Sequence, residues 1–201
     1  MADGPNIDLI VPRYEEIPAF YQAADQMGFH RLWFTEMLFS QGWRGQSGLD
    51  RYSALTAASA VTSRIRLGTA YMGSPRPPIL SFAAKLAGLD NISNGRLSLG
   101  ISQHDWPDEG AGERQRPRAD GRLAETITAL KKLWSEDEVS VKGGHINLER
   151  ASIDVKPAQV GGIQVLVAGV TSAAVNHAST LADGWVHPSV GVPGGAGLRY
   201  G

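Results

Sequence analysis

Apolar positions along this chain switch repeatedly between two periods. Residues 7–11 form a short aliphatic run, and Tyr14, Ile17, Phe20, Tyr21, Ala24 and Met27 follow at spacings of three and four. That pattern predicts a strand and then one buried face of a helix, closed by Gly28. Leu32-Trp33-Phe34 predicts a second strand. Beyond a glycine-rich loop, Asp50 or Ser53 can cap a helix carrying Leu55, Ala58 and Val61, and residues 65–70 predict a third strand. Pro77 and Pro78 open a helix with Ile79, Phe82, Ala83, Leu86 and Leu89 inward. After the turn signal Asn94-Gly95, the alternation of Leu97, Leu99 and Ile101 predicts a fourth strand. Leu123, Ile127, Leu130, Leu133 and Trp134 mark the next helical face, which places Trp134 in the core.

The alternation breaks once. Val139, Val141, Ile146, Leu148 and Ile153 interleave with polar residues around Gly143-Gly144, which predicts an inserted β-hairpin. A fifth strand follows at 163–167, then a helix capped by Thr171 or Ser172, then a sixth strand opening with Gly184-Trp185-Val186. Strands alternating with helices through short links imply an α/β fold with a parallel sheet and right-handed crossovers. An open doubly wound sheet and a closed eight-fold barrel both satisfy this. No GxGxxG follows the first strand and no GxxxxGK[ST] occurs, so the dinucleotide and P-loop versions of the open sheet lose their main support. Six strand units in 201 residues amount to part of an eight-fold barrel, which typically takes about 250 residues.

Composition narrows the function classes. With 42% hydrophobic residues, 19% charged residues and a formal net charge of -1, the chain reads as globular, with no basic stripe asking for nucleic acid. The absence of cysteine removes thiolate metal sites, disulfides and cysteine nucleophiles, and is compatible with the cytoplasm. No apolar run is long enough to span a bilayer and the N-terminus lacks a signal-peptide pattern, so no membrane partner is expected. The five histidines show no HExxH-type spacing, so no metal is expected either.

In parallel α/β proteins, ligands meet the C-terminal strand ends. Those ends carry Thr35-Glu36, then Ala70, Tyr71, Met72 and Gly73, then Ser102 to Trp106, then Ala168, Gly169, Val170 and Thr171, and last His187. Glu36 and Asp105 lie beside aromatics that can exclude water and raise a carboxyl pKa towards acid–base use. Their bland alternative is a solvated loop acid or helix cap. His104 can titrate near neutrality or serve only as a structural hydrogen-bonding group. Trp43 and Trp106 are expected at the mouth. The run Val167 to Ser172, a strand passing through glycine into a helix start, offers unpaired N–H groups and a positive dipole end suited to a phosphate, or simply an ordinary capped helix.

Taken in order, "GFHRLWFTEMLF", "TSRIRLGTAYMG", "LDNISNGRLSLG" and "LADGW" resemble the luciferase-like monooxygenase family, over about Ile7 to His187. The resemblance implies a TIM-type (β/α) barrel, here incomplete, with a flavin or deazaflavin ring over the C-terminal strand ends. Residues 1–187 would form the barrel domain and 188–201 an irregular glycine-rich tail. It implies F420 or FMN as cofactor, with F420 favoured, and hydride transfer or oxygen insertion on a small organic substrate. By position, Ala70, Tyr71 and Gly73 would follow a bulge in the third strand that backs the ring, often through a strained non-proline cis peptide. Ser102 and Asp105 would lie beside the ring, and Ala168, Gly169, Val170 and Thr171 would meet the cofactor phosphate. Relatives carry histidine after the second strand where this chain has Glu36-Met37-Leu38. Glu36 is therefore the candidate for proton handling, with Asp105 and His104 as partners. The bulk of Ser102-Gln103-His104 replaces small residues and would narrow the pocket. An open barrel would expose a strand edge and an apolar interior, which implies partner pairing, as a homodimer or other oligomer, or low stability. The alternatives are a cofactor-binding remnant without turnover, and a phosphate-ligand barrel enzyme.

Overall fold

The computed structural model describes residues 7–11, 17–35, 50–73, 78–102 and 121–186. In chain order these form β1 (Asp8–Ile10), α1 (Ile17–Met27), β2 (Arg31–Thr35), α2 (Arg51–Val61), β3 (Arg66–Gly73), α3 (Ile79–Ile92) and β4 (Leu97–Ser102). They continue through α4 (Arg122–Ser135), β5 (Val139–Lys142), β6 (Asn147–Ala151), β7 (Gln164–Ala168), α5 (Ser172–Thr180) and β8 (Gly184–Val186). Six strands make one parallel sheet in the order β1-β2-β3-β4-β7-β8, while β5 and β6 pair as a separate antiparallel hairpin. The expected strand–helix alternation and the inserted hairpin are both present.

Period-two alternation sorts each strand into two faces. Leu32, Phe34, Leu67, Leu97, Leu99, Ile101, Val165 and Val167 point to the helices and form the main core with Tyr21, Leu55, Leu86 and Leu130. Trp134 joins this core, as its helical face predicts, and donates its Nε1–H to the Ala83 carbonyl at 3.2 Å. On the other face, Trp33 of β2 packs with Leu166 of β7 and Val186 of β8. On a flat sheet β2 and β7 would lie about 14 Å apart, since strands are spaced about 4.8 Å. Contact across that span, and the 3.1 Å bond from Arg31 Nη2 to Gln164 Oε1, require the sheet to curl into a half-barrel with Trp33 inside it. Gly68 and Gly100 make room for that indole: a Cβ on Gly68 would lie 2.5 Å from Trp33 Cε3, and one on Gly100 would run into the Thr69 carbonyl oxygen.

Two buried acids, Asp25 and Asp90, and the exposed Asp183 close the end where the strands enter. Asp25 of α1 accepts hydrogen bonds from the N–H groups of Ser63 (3.1 Å), Arg64 (3.0 Å) and Ile65 (2.6 Å) and from the Ser63 hydroxyl (3.3 Å). Asp90 of α3 accepts from the N–H of Leu97 at 3.3 Å and of Gln159 at 3.0 Å. Asp183 accepts from the N–H of Val165 at 2.7 Å and from Lys131 Nζ at 2.8 Å. Arg96 answers them with donors, reaching the carbonyls of Ser59, Thr62, Ile65 and Ser93 and the Thr62 hydroxyl. Each acid holds amides at or just before the start of a strand: Asp25 at β3, Asp90 at β4 and Asp183 at β7. Asn94 and Gly95, both at positive φ (56° and 74°), turn the chain between α3 and β4.

The hairpin is tied to α4 by one side chain. Glu125 accepts from the N–H groups of Gly144 (2.9 Å), His145 (2.8 Å) and Ile146 (2.8 Å). The bond from His145 leads in holding the Glu125 carboxyl below its ordinary pKa; slight burial opposes this, and the Ile146 and Gly144 bonds add to it.

Candidate functional site

The C-terminal strand ends lie opposite these acids. Register pairs Gly73 with Ser102, Ser102 with Ala168 and Ala168 with Val186, so the ends of β3, β4, β7 and β8 form one row across the curled sheet. The fold thus brings Gly73, Ser102 and Ala168 together. Ser102, only 7% exposed, ends β4 as part of the strand itself. Thr35 of β2 pairs with Ala70 of β3, which puts Ala70 in the same end of the sheet.

Between Thr69 and Met72 the β3–β4 register slips, a bulge that holds Ala70 and Tyr71. Strand periodicity alone does not reveal it; the family resemblance implies it. At its edge the Thr69 hydroxyl takes over part of the ladder, accepting from the Gly100 N–H at 3.0 Å and donating to the Gly100 carbonyl at 3.2 Å. A bulge re-aims the backbone beside it and ends regular pairing.

The β7–α5 connection has the features of an anion site. Thr171 caps α5: its Oγ1 accepts from the Ala174 N–H at 3.1 Å, and its carbonyl accepts from Val175 at 3.1 Å. The N–H groups of Ser172 and Ala173 then have no partner among the described residues, and both residues are exposed. No acid occupies the first turn of α5, so nothing there opposes the positive helix end. Gly169 lets the loop pass close to the helix, since a Cβ there would meet Ala174 Cβ at 2.7 Å. The loop is clamped from β8: Trp185 Nε1 donates to the Gly169 carbonyl at 2.8 Å. Trp185 is nevertheless 46% exposed and lies in neither the core nor the sheet interior. An anionic group such as a phosphate fits this cradle, with Val170 (57% exposed) at its outer edge.

Glu36, His104, Asp105, Trp43, Trp106 and His187 lie outside the described residues, as do the proposed tail 188–201 and the boundary before it. Glu36 directly follows Thr35, and His104 and Asp105 follow Ser102 by two and three positions. No cluster of three or more metal-ligating side chains occurs among the described residues. No described helix is long and apolar enough to cross a membrane.

The pattern of apolar positions does not reveal Asp25, Asp90, Asp183 and Arg96, although the phrases TSRIRLGT, LDNISNGRLSLG and LADGW contain them or their partners. Those phrases mark the strand-entry end, where the structure shows stabilising contacts, and the chemistry of such folds belongs to the opposite end.

The family model described as Luciferase-like monooxygenase matches residues 2–195. Among curated relatives, the chain is 30% identical over 185 residues to the F420-dependent hydroxymycolic acid dehydrogenase of Mycobacterium tuberculosis, covering 87% of this chain and 49% of that protein. It is 29% identical over 174 residues to the F420-dependent glucose-6-phosphate dehydrogenase of Intrasporangium calvum, covering 81% and 50%. Among solved structures, monooxygenase RslO1 from Streptomyces bottropensis superposes with a TM-score of 0.75 at 28% identity, covering 92% of this chain and 60% of that one. The chain thus spans about half the length of the curated relatives it matches.

Proposed function

The chain belongs to the luciferase-like monooxygenase family, and on that premise we propose that it works as a flavin- or deazaflavin-dependent oxidoreductase, with F420 favoured over FMN. The reaction is hydride transfer or oxygen insertion on a small organic substrate. The observation that carries the proposal is the β7–α5 cradle: two N–H groups at a helix start without a partner among the described residues, a glycine that admits close approach and no acid in the first turn of the helix. Both cofactors carry a phosphate that such a cradle suits. The names of the F420-dependent relatives support the choice of deazaflavin.

When bound, the cofactor supplies the electron chemistry; the protein supplies position and proton control. Gly169, Val170, Thr171 and the Ser172 and Ala173 amides would hold the phosphate. Ala168, Ser102, Gly73 and the bulged Ala70 and Tyr71 backbone would line the face under the ring. Glu36, with Asp105 and His104 as partners, would hold or move the proton at the ring edge, from positions that follow β2 and β4 in the sequence. Trp185 would keep the phosphate loop in place by its bond to the Gly169 carbonyl.

The proposal extends to a cytoplasmic enzyme that self-associates as a dimer or other oligomer, without nucleic acid or membrane. An open groove of about 700 Å³ between α2 and α3, whose lining mixes apolar Ala57, Leu89 and Ile92 with polar Ser53, Thr56 and Lys85, is the face we assign to a second copy. Titrating the full chain with F420 and with FMN, followed by tryptophan quenching, tests the assignment. Saturable binding of F420, and its reduction by a cognate donor, are expected. Binding of neither cofactor would remove the proposal, and binding without any turnover would favour a non-catalytic remnant.

A further inference from the structure

The floor of the half-barrel, where the strands enter, holds a charged cluster that the cofactor end does not use. Asp8, Arg31, Arg66, Ser98 and Gln164 come from five adjacent strands, β1, β2, β3, β4 and β7. Register pairs Asp8 with Arg31, Arg31 with Arg66, and Ser98 with Gln164, so their side chains share the concave face that Trp33 fills one layer above. The single carboxylate is already engaged. Asp8 Oδ1 lies 2.8 Å from His30 Nδ1, and Oδ2 accepts from Trp33 Nε1 at 2.8 Å, leaving only a 3.8 Å approach to Arg31 Nη1. Gln164 Oε1 is engaged as well, accepting from Arg31 Nη2 at 3.1 Å and from Ser98 Oγ at 3.0 Å.

Two guanidinium groups remain under-satisfied. Arg31 is 7% exposed and stacks on Trp33, with Cζ 4.9 Å from the ring centroid, yet its Nε–H is buried without an acceptor. The Nε–H of Arg66 is also buried without an acceptor, and its guanidinium has no hydrogen bond or ion pair among the described residues. Burial lowers the Arg31 pKa, Asp8 opposes that, and the neighbouring Arg66 charge adds to it. Among the described residues, two register-paired arginines thus each keep a buried Nε–H without an acceptor beside one engaged acid, a set that one further negative charge with two acceptor oxygens would satisfy.

We propose that the half-barrel floor binds one carboxylate between Arg31 and Arg66, at a site separate from the cofactor cradle. A carboxylate supplies two in-plane oxygens to forked guanidinium donors, which a spherical halide does not. The carboxylate can come from a small acid in solution or from an Asp or Glu side chain on a strand added beside β1 or β8, the outermost strands of the sheet among the described residues. Affinity separates the two. A soluble ligand must bind tightly alone, whereas a side chain delivered by a docked strand acts at millimolar or higher effective concentration and needs little intrinsic affinity.

The test titrates the full chain with sodium acetate against sodium chloride at matched ionic strength, reading the melting temperature and the arginine Nε–H resonances by ¹⁵N NMR. Acetate should raise the melting temperature by several degrees beyond chloride, as expected for binding to the folded state alone. It should also shift two Nε–H signals, those of Arg31 and Arg66. Arg66→Gln should abolish the acetate-specific gain, and Arg66→Lys, which keeps the charge, should retain part of it. A midpoint at or below about 1 mM identifies a soluble carboxylate as the occupant, and one above that a side chain on an added strand. Equal effects of acetate and chloride with unmoved Nε–H signals would overturn the proposal. An acetate gain that Arg66→Gln leaves intact would overturn it too. The NMR reading on the unmodified chain decides the matter even where a variant folds poorly.

Discussion

Replacing Asp25 by alanine removes one carboxylate and the acceptor for four hydrogen bonds. Ile65 is 2% exposed, so its N–H is left buried and unpaired, while Ser63 and Arg64 are exposed and can turn to water. A lost bond to a charged acceptor costs about 1.5–3 kcal/mol, and stranding a buried donor costs about 1–3 kcal/mol. The two rehydrated amides add little, so Asp25→Ala should destabilise the chain by about 3–5 kcal/mol. With a urea slope of about 2–3 kcal/mol/M, the midpoint should fall by about 1–2.5 M. The pH dependence provides the sharper check. Burial raises the Asp25 pKa, but the bonds from Ile65, Ser63 and Arg64 outweigh it and hold the folded-state value below the ordinary one. A depressed folded pKa means that the stabilisation is complete above the unfolded value, about 3.9, and disappears as pH falls through the folded value. Urea curves of wild type and Asp25→Ala should therefore stand apart at neutral pH and converge in acid. A loss below about 1 kcal/mol at neutral pH, or a gap unchanged in acid, would show that this carboxylate does not organise the entry to β3.

Other features give further expected outcomes. Gly100→Ala places a methyl against the Thr69 carbonyl and 3.3 Å from Trp33 Cζ3, so it should cost about 3 kcal/mol or more, or prevent folding, by thermal melts. Glu125→Gln weakens an acceptor that ties three hairpin amides; hydrogen exchange at Gly144, His145 and Ile146 should quicken while the sheet stays protected. The same exchange should quicken in wild type as pH falls through the depressed Glu125 pKa, once the base-catalysed intrinsic rate is divided out.

The alternation of strand and helix was legible because it follows from burial, and burial follows residue type. Leu97, Leu99 and Ile101 marked a strand, which the fold buries on both faces, and Thr171 did become the cap of α5. The Gly169 cradle was legible for the same reason, as a local strand-glycine-cap pattern. What pattern could not supply was pairing between distant segments. Asp25 meets residues 63–65, Arg96 meets residues 59–65, and Asp90 meets Gln159, none of them neighbours in sequence. The Arg31–Gln164 bond depends on the curl of the sheet, which no single strand encodes. Glu36, His104 and Asp105 are chosen by chain position beside the strand ends, and their roles remain proposals to be tested by substitution.

The most direct test of the cofactor assignment compares F420 with its phosphate-free deazaflavin chromophore, on wild type and on Gly169→Val. A valine side chain at 169 would meet Ala174, whose Cβ lies 2.7 Å from the position of a Cβ there, and would push the loop away from the α5 amides. Wild type should bind F420 at least about tenfold more tightly than the chromophore, a difference of about 1.4 kcal/mol. Gly169→Val should bring the F420 affinity down to that of the chromophore, leaving chromophore binding nearly unchanged. Equal affinities in wild type, or a variant that keeps the preference for F420, would contradict phosphate recognition at the start of α5.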